Sequence, residues 1–167
     1  SLGADGIAMG TRLMTTKESP LHDVYKKLSI EKQIDDTLYS TRFDGLGCRV
    51  LDTPAAHKAI RQGLSIPKLL EAIPNSMATA RMINMPWIKL FIGIMASGWE
   101  TARQMAYLAN AFKAIRVATE NGDTKNGVLP VGQITGMLKD NPPVAELFER
   151  IVTEAEGVSR RVAAMMN

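Results

Sequence analysis

Gly10-Thr11-Arg12, entered from the short apolar run Gly6-Ile7-Ala8-Met9, is the arrangement in this chain best suited to holding a ligand. The run has the length and flanking of a buried parallel strand, and a helix can open at Thr11. Backbone N–H groups in the first turn of a helix have no intrahelical acceptor. The helix dipole favours an anion beside them, and the Thr11 hydroxyl adds one more donor. Gly10 lets the anion approach the backbone with no Cβ in the way. The chemistry these residues offer is phosphate binding at Gly10 and Thr11. A strand–turn–helix with no ligand accounts for the same residues equally well.

The remaining reactive side chains offer less. His22 and His57 stand far apart with no carboxylate pattern between them, so each reads as a surface or capping histidine. A lone cysteine, Cys48, rules out an internal disulfide and a Cys-based zinc site; the expected setting is reducing and cytoplasmic.

Two further segments extend the first. Phe43-Asp44-Gly45-Leu46-Gly47-Cys48-Arg49-Val50-Leu51 and Gly127-Val128-Leu129-Pro130-Val131-Gly132-Gln133-Ile134-Thr135-Gly136 follow Gly3–Arg12 in order. With this order and spacing the chain resembles the C-terminal part of the nitronate monooxygenase family, formerly the 2-nitropropane dioxygenases. Flavin-dependent enoyl-acyl-carrier-protein reductases are among that family's relatives. The resemblance spans nearly all of residues 1–167, is strongest at 3–19, 43–54 and 127–156, and is weakest between 65 and 99.

The resemblance implies a mostly α (α+β) chain: the last strand and last helix of a TIM (β/α)8 barrel, plus a helical lid domain with a small β-hairpin. Residues 1–16 would be the last barrel strand and the start of the phosphate-binding helix, 17–140 the lid and substrate domain, and 141–167 the returning barrel helix. FMN is the implied cofactor. Its phosphate falls to Met9, Gly10 and Thr11, and its ring edge to Gly132 and Gln133. Arg12 would either offset phosphate charge or pair with a carboxylate. Some relatives have a small hydroxyl residue where this chain has Pro130, so no hydroxyl contact to the flavin is carried over there.

The implied activity of the whole enzyme is oxidation of alkyl nitronates to a carbonyl compound and nitrite. The alternative is NAD(P)H-dependent reduction of enoyl thioesters or quinones, and a non-catalytic helical interaction module is a third reading. The family's catalytic histidine lies on earlier barrel strands, and neither His22 nor His57 matches its motif. Ser1-Leu2-Gly3 reads as mid-domain sequence, so the chain is expected to be the tail of a longer protein and inactive alone. Its expected partners are a small-molecule substrate, the N-terminal barrel portion and further copies of itself.

Composition fits these elements. At 167 residues and 46% hydrophobic, the chain can build one core. Its net charge is +3 with Lys and Arg scattered along it and 5% aromatics, which argues against nucleic-acid binding. Trp87–Ala96 is about half the ~20 residues of a membrane span, so it is expected to be a buried or groove-lining helix.

Helical spacing of Leu21, Val24, Tyr25 and Leu28 predicts a helix after Pro20. Thr37–Phe43 and Cys48–Leu51 flank Asp44-Gly45 as a hairpin. Thr53-Pro54 opens a helix that Gly63 ends, and Ile66–Ile73 is expected to stop at Pro74. The spacing of Ala102, Met105, Ala109, Phe112 and Ala118 predicts a long helix between Trp99 and Glu120. The last helix is expected to be capped by Asn141, with Pro142 and Pro143 in its first turn. Val144, Leu147, Ile151, Ala155, Val158, Val162 and Met165 form its apolar stripe.

Overall fold

Helical periodicity governs the chain except at one hairpin. The computed structural model describes residues 6–165, and among these the elements run α1 (Thr11–Met14), α2 (Asp23–Glu31), β1 (Thr37–Ser40), β2 (Cys48–Leu51), α3 (Pro54–Gln62), α4 (Ile66–Met82), α5 (Trp87–Ala96), α6 (Trp99–Asn121) and α7 (Val144–Met165). The protein is mostly helical with a small two-stranded sheet. β1 and β2 pair antiparallel, from Thr37 opposite Leu51 to Ser40 opposite Cys48. In the connecting turn Asp44 accepts the Leu46 N–H at 3.0 Å, and Gly45 and Gly47 take positive φ.

The side-chain alternation of β2 divides the interior in two. Leu51 packs with Leu21, Tyr25, Ala118, Leu129 and Val131. Val50 packs on the other side with Phe43, Ala55, Ala56, Ala111 and Val128. The free edge of β2 is covered by residues 129–131, where the Leu51 N–H reaches Leu129 O at 3.0 Å and the Val131 N–H reaches Arg49 O at 2.9 Å.

Helix starts follow local chemistry where the cap is adjacent. His22 Nδ1 accepts the Val24 N–H at 3.3 Å, and Thr53 Oγ1 accepts the Ala56 N–H at 3.2 Å. Both histidines thus act as ordinary structural groups, since exposed His57 sits 2.8 Å from Asp52. The start of α7 differs from expectation. The helix begins at Val144, beyond both prolines, so Asn141 is too far back to cap it. The Val144 N–H is instead accepted by Glu18 at 2.9 Å, and Asn141 Oδ1 is buried without a partner among the described residues.

Three further expectations are corrected. Gly6–Met9 is not a strand: ladder hydrogen bonds define one, and no described strand lies beside it. α4 does not stop at Pro74 but continues to Met82. Proline removes one hydrogen bond and disfavours helix in the residue before it, but Ala72 and Ala80 are buried on either side of it, and Asn75 bonds Asn110 of α6 at 2.8 Å. Tertiary packing outweighs the local cost. α5 is not buried, and Ile88, Phe91, Ile92 and Met95 are all exposed. It is held at one end, where Trp87 stacks on Phe91 and donates to Ser76 Oγ at 2.9 Å. No helix among the described residues is long and apolar enough to cross a membrane.

The Tyr25 hydroxyl is fully buried and donates to Gly127 O at 2.8 Å. Burial, and then the charge of Asp123, push its phenol up to about 12. An ordinary phenol titrates near about 10, so the fold favours the protonated form. That contribution is complete below pH ~10 and is lost as pH rises through ~12, on the order of 2 kcal/mol. Urea midpoints measured across this window are expected to fall more steeply in the parent than in Tyr25→Phe, which itself loses about 1 kcal/mol at neutral pH.

On α7 only Leu147 is buried, while Phe148, Val152, Val158 and Val162 are exposed. An uncovered apolar helix face promotes association. Residues 1–167 alone are expected to show a light-scattering mass above 18.2 kDa. Val152→Glu with Val158→Glu should return it towards the monomer, and an unchanged mass would remove this face from the assembly.

Candidate functional site

α1 is a single turn preceded by Gly10, whose carbonyl accepts the Met14 N–H at 3.1 Å. The N–H groups of Thr11, Arg12 and Leu13 therefore have no acceptor within the helix. The space beside Gly10 is open, and a Cβ there would meet nothing within 4 Å. Met9 is half-buried and Gly10 exposed at the mouth of this turn.

Thr11 is buried, and its Oγ1 accepts the Gly132 N–H at 2.7 Å. Two segments that stand apart in sequence are thereby brought into contact. Its second wall is positioned by β2, which holds residues 129–131 in register. Gly132 follows them into a turn in which the Thr135 hydroxyl donates to Gly132 O at 2.9 Å. Glycine is required at 132 because a Cβ would lie 2.8 Å from Thr11 Oγ1. Thr11 Oγ1 accepts from the backbone, and its own proton has no acceptor among the described residues. Gln133 is exposed beside this junction.

Arg12 takes the carboxylate partner. Its guanidinium is 2.6 Å from Asp140 Oδ1 and donates to Asp140 O at 3.1 Å. Asp140 is shared with Arg150 of α7, which also pairs with Glu146. The hydrogen bond from Arg150 first, and then that from Arg12, hold the Asp140 carboxyl below the usual carboxylate range. The charge of Arg12 is thus already balanced by Asp140. No sequence signal near residue 12 marks Asp140 as its partner, because the fold brings Asp140 from the far end of the chain.

The Cys48 thiol is half-buried and pushed up to about 11 by burial and then by Asp44, so it is no nucleophile near neutral pH. Among the described residues no group of His, Cys, Asp and Glu side chains could hold a metal ion. Scattering of the cations along the sequence does not survive folding: five of them line one cleft beside α3, α4 and α6.

The nitronate monooxygenase family model matches residues 1–154, and the chain belongs to that family. Over 156 residues it is 35% identical to the (3aS,4S,5R,7aS)-5-hydroxy-7a-methyl-1-oxo-octahydro-1H-indene-4-carboxyl-CoA dehydrogenase of Mycobacterium tuberculosis. It is 32% identical to the enzyme of the same name from Rhodococcus jostii. Each match covers 92% of this chain but 44% of the relative. The chain therefore spans less than half the length of these curated relatives. Its fold is shared with part of FabK from Thermotoga maritima, at a TM-score of 0.65 and 24% identity, covering 98% of this chain and 40% of that one. The FabK M276A mutant superposes similarly, at a TM-score of 0.62, 23% identity, and 98% and 38% coverage.

The junction should be sensitive to single methyl groups. Gly132→Ala is expected to displace Thr11 and lower the melting temperature, a loss of about 1–3 kcal/mol. Thr11→Ser keeps the acceptor and should remain within about 0.5 kcal/mol of the parent. Equal melting temperatures for Gly132→Ala and the parent would mean that the two segments do not meet as described.

Proposed function

We propose that this chain contributes the phosphate-binding edge and helical lid of a longer FMN-dependent oxidoreductase of the nitronate monooxygenase family. In this reading residues 1–16 complete the barrel at the phosphate turn, 17–140 form the lid and substrate domain, and 141–167 return to cover the barrel. The N-terminal barrel portion comes from the remainder of the protein. The observation that carries the reading is the Thr11 Oγ1 to Gly132 N–H bond beside the open space at Gly10.

The residues fit a flavin phosphate. A dianion needs several convergent donors and no Cβ in its approach. The free N–H groups of α1, the Thr11 hydroxyl proton and Gly10 meet both needs. Gly132 orients Thr11 by donating to its oxygen, and Gln133 extends from that junction with an amide that can donate or accept. Arg12, neutralised by Asp140, anchors α1 to the start of α7 and is not a charge partner for the ligand. Bound FMN would supply the electron acceptor or donor. His22 caps a helix and His57 pairs with Asp52, so the base that moves a substrate proton is assigned to the rest of the protein.

For the substrate, the identities to two carboxyl-CoA dehydrogenases favour a CoA thioester, oxidised or reduced at the acyl group. Nitronate oxidation to a carbonyl compound and nitrite is the second reading, supported by the family description. A non-catalytic helical module finds no such support. The exposed face of α7 is where we place covering by the barrel or, in its absence, by a second copy.

The test uses the intact protein and FMN. Thr11→Ala removes one hydroxyl donor to a charged group, so FMN affinity should fall roughly ten- to a hundredfold. The visible spectrum of the bound flavin should stay nearly normal. Unchanged affinity would withdraw the phosphate assignment. Dye- or NAD(P)H-linked turnover of acyl-CoA substrates is expected, and nitrite release from alkyl nitronates without it would favour the second reading. Residues 1–167 alone, supplied with FMN, are expected to turn over neither.

A further inference from the structure

The cleft beside α3, α4 and α6 has a volume of about 210 Å³ and lies outside the Thr11–Gly132 site. Arg42, Lys58, Lys68, Lys113 and Lys125 line it, against one carboxylate, Glu71. Lys68 bonds Glu71 at 2.7 Å. That hydrogen bond is the main cause that holds the Glu71 carboxyl below its ordinary value. The charges of Lys68, Lys113 and Lys58 add to it against the effect of burial. Lys58, Lys113 and Lys125 make no ion pair among the described residues. Concentrating like charges in a cleft raises the local potential and is unfavourable until an anion enters.

The remaining walls are of a different kind. Phe43, Ala55 and Ala111 form a buried apolar floor, and the Tyr107 ring stands at the side. Asn110 is fixed by two hydrogen bonds, accepting from Asn75 Nδ2 and donating to Lys68 O, both at 2.8 Å. A flat apolar floor with fixed amides suits a heteroaromatic base, and a cationic rim suits phosphates.

Val128 closes the cleft on one side, and four residues later along the same segment Gly132 holds Thr11. Four residues span at most about 14 Å. The cleft wall and the Thr11–Gly132 junction are therefore no more than about 14 Å apart along the chain.

We propose that this cleft binds an adenosine phosphate, the end carried alike by CoA thioesters and by nicotinamide dinucleotides. The cationic rim takes the phosphates, and the floor takes the base. The ligand's role rests on the oxidoreductase reading above; the site itself rests on the cleft.

The test measures calorimetric binding of adenosine 3′,5′-bisphosphate to the intact protein and to Lys58→Glu, Lys113→Glu and the double variant. These lysines are exposed, so the variants should fold. Affinity is expected to fall roughly ten- to a hundredfold per substitution, and Lys89→Glu on α5, outside the cleft, should bind as the parent does. No binding by the parent, or equal affinity in the double variant, overturns the proposal. Kinetics then separate the sources. A raised KM for an acyl-CoA but not for the matching acyl-pantetheine assigns the site to the thioester, and a raised KM for NADPH assigns it to the dinucleotide. If the protein turns over neither while the lysine variants lose the bisphosphate, the site stands and the thioester reading fails.

Discussion

Residues 127–132 are the constraint on which the rest of the structure depends. At Gly127 this segment passes so close to α6 that a Cβ would lie 2.5 Å from the Ala118 nitrogen. The Tyr25 hydroxyl of α2 bonds the Gly127 carbonyl, and the Val128 N–H bonds Ala114 O at 3.1 Å. The next residues pair along β2, and Gly132 ends on Thr11. One extended segment thus joins α1, α2, β2 and α6. Both packing clusters draw on it, through Val128 on one side and Leu129 and Val131 on the other.

Charge is arranged around this framework by sharing. Arg12, Asp140, Arg150 and Glu146 join the one-turn helix α1 to the first turns of α7, and Glu18 caps α7 from the same side. Arg150 and the carboxylates are partly exposed, so each exposed pair contributes about 0–1 kcal/mol, and their value lies more in geometry than in stability. Pairing of Arg12 with Asp140 changes what the turn at Gly10 can offer. It becomes a set of aligned neutral donors beside an open glycine, suited to an anion that brings its own shape.

The apolar surface is distributed unusually for so small a protein. α4, α5 and α6 pack on one another, yet α5 buries none of its residues, and α7 buries only Leu147. Isolated exposed hydrophobes are ordinary, but two helical faces of this kind form extended apolar surface. This matches a chain that spans 44% of its curated relatives.

Local chemistry in the sequence determined most elements: the Thr53-Pro54 start and Gly63 end of α3, the hairpin about Asp44-Gly45, the long period of α6, and the capping role of His22. Each depends on residues within a few positions of one another, where backbone geometry and side-chain period act directly. It also marked Gly10-Thr11 as a candidate, while Gly132-Gln133 came only from the family resemblance. Only the tertiary structure brought them together, because a hydrogen bond between residues 11 and 132 leaves no local trace. Long-range contacts likewise carried α4 through Pro74, moved the cap of α7 from Asn141 to Glu18, and gave Arg12 its partner in Asp140. The same holds for the cations, which are dispersed along the chain and gathered only where α3, α4 and α6 converge. Gly6–Met9 illustrates the converse: strand propensity is present, but a strand requires a neighbour to share its hydrogen bonds.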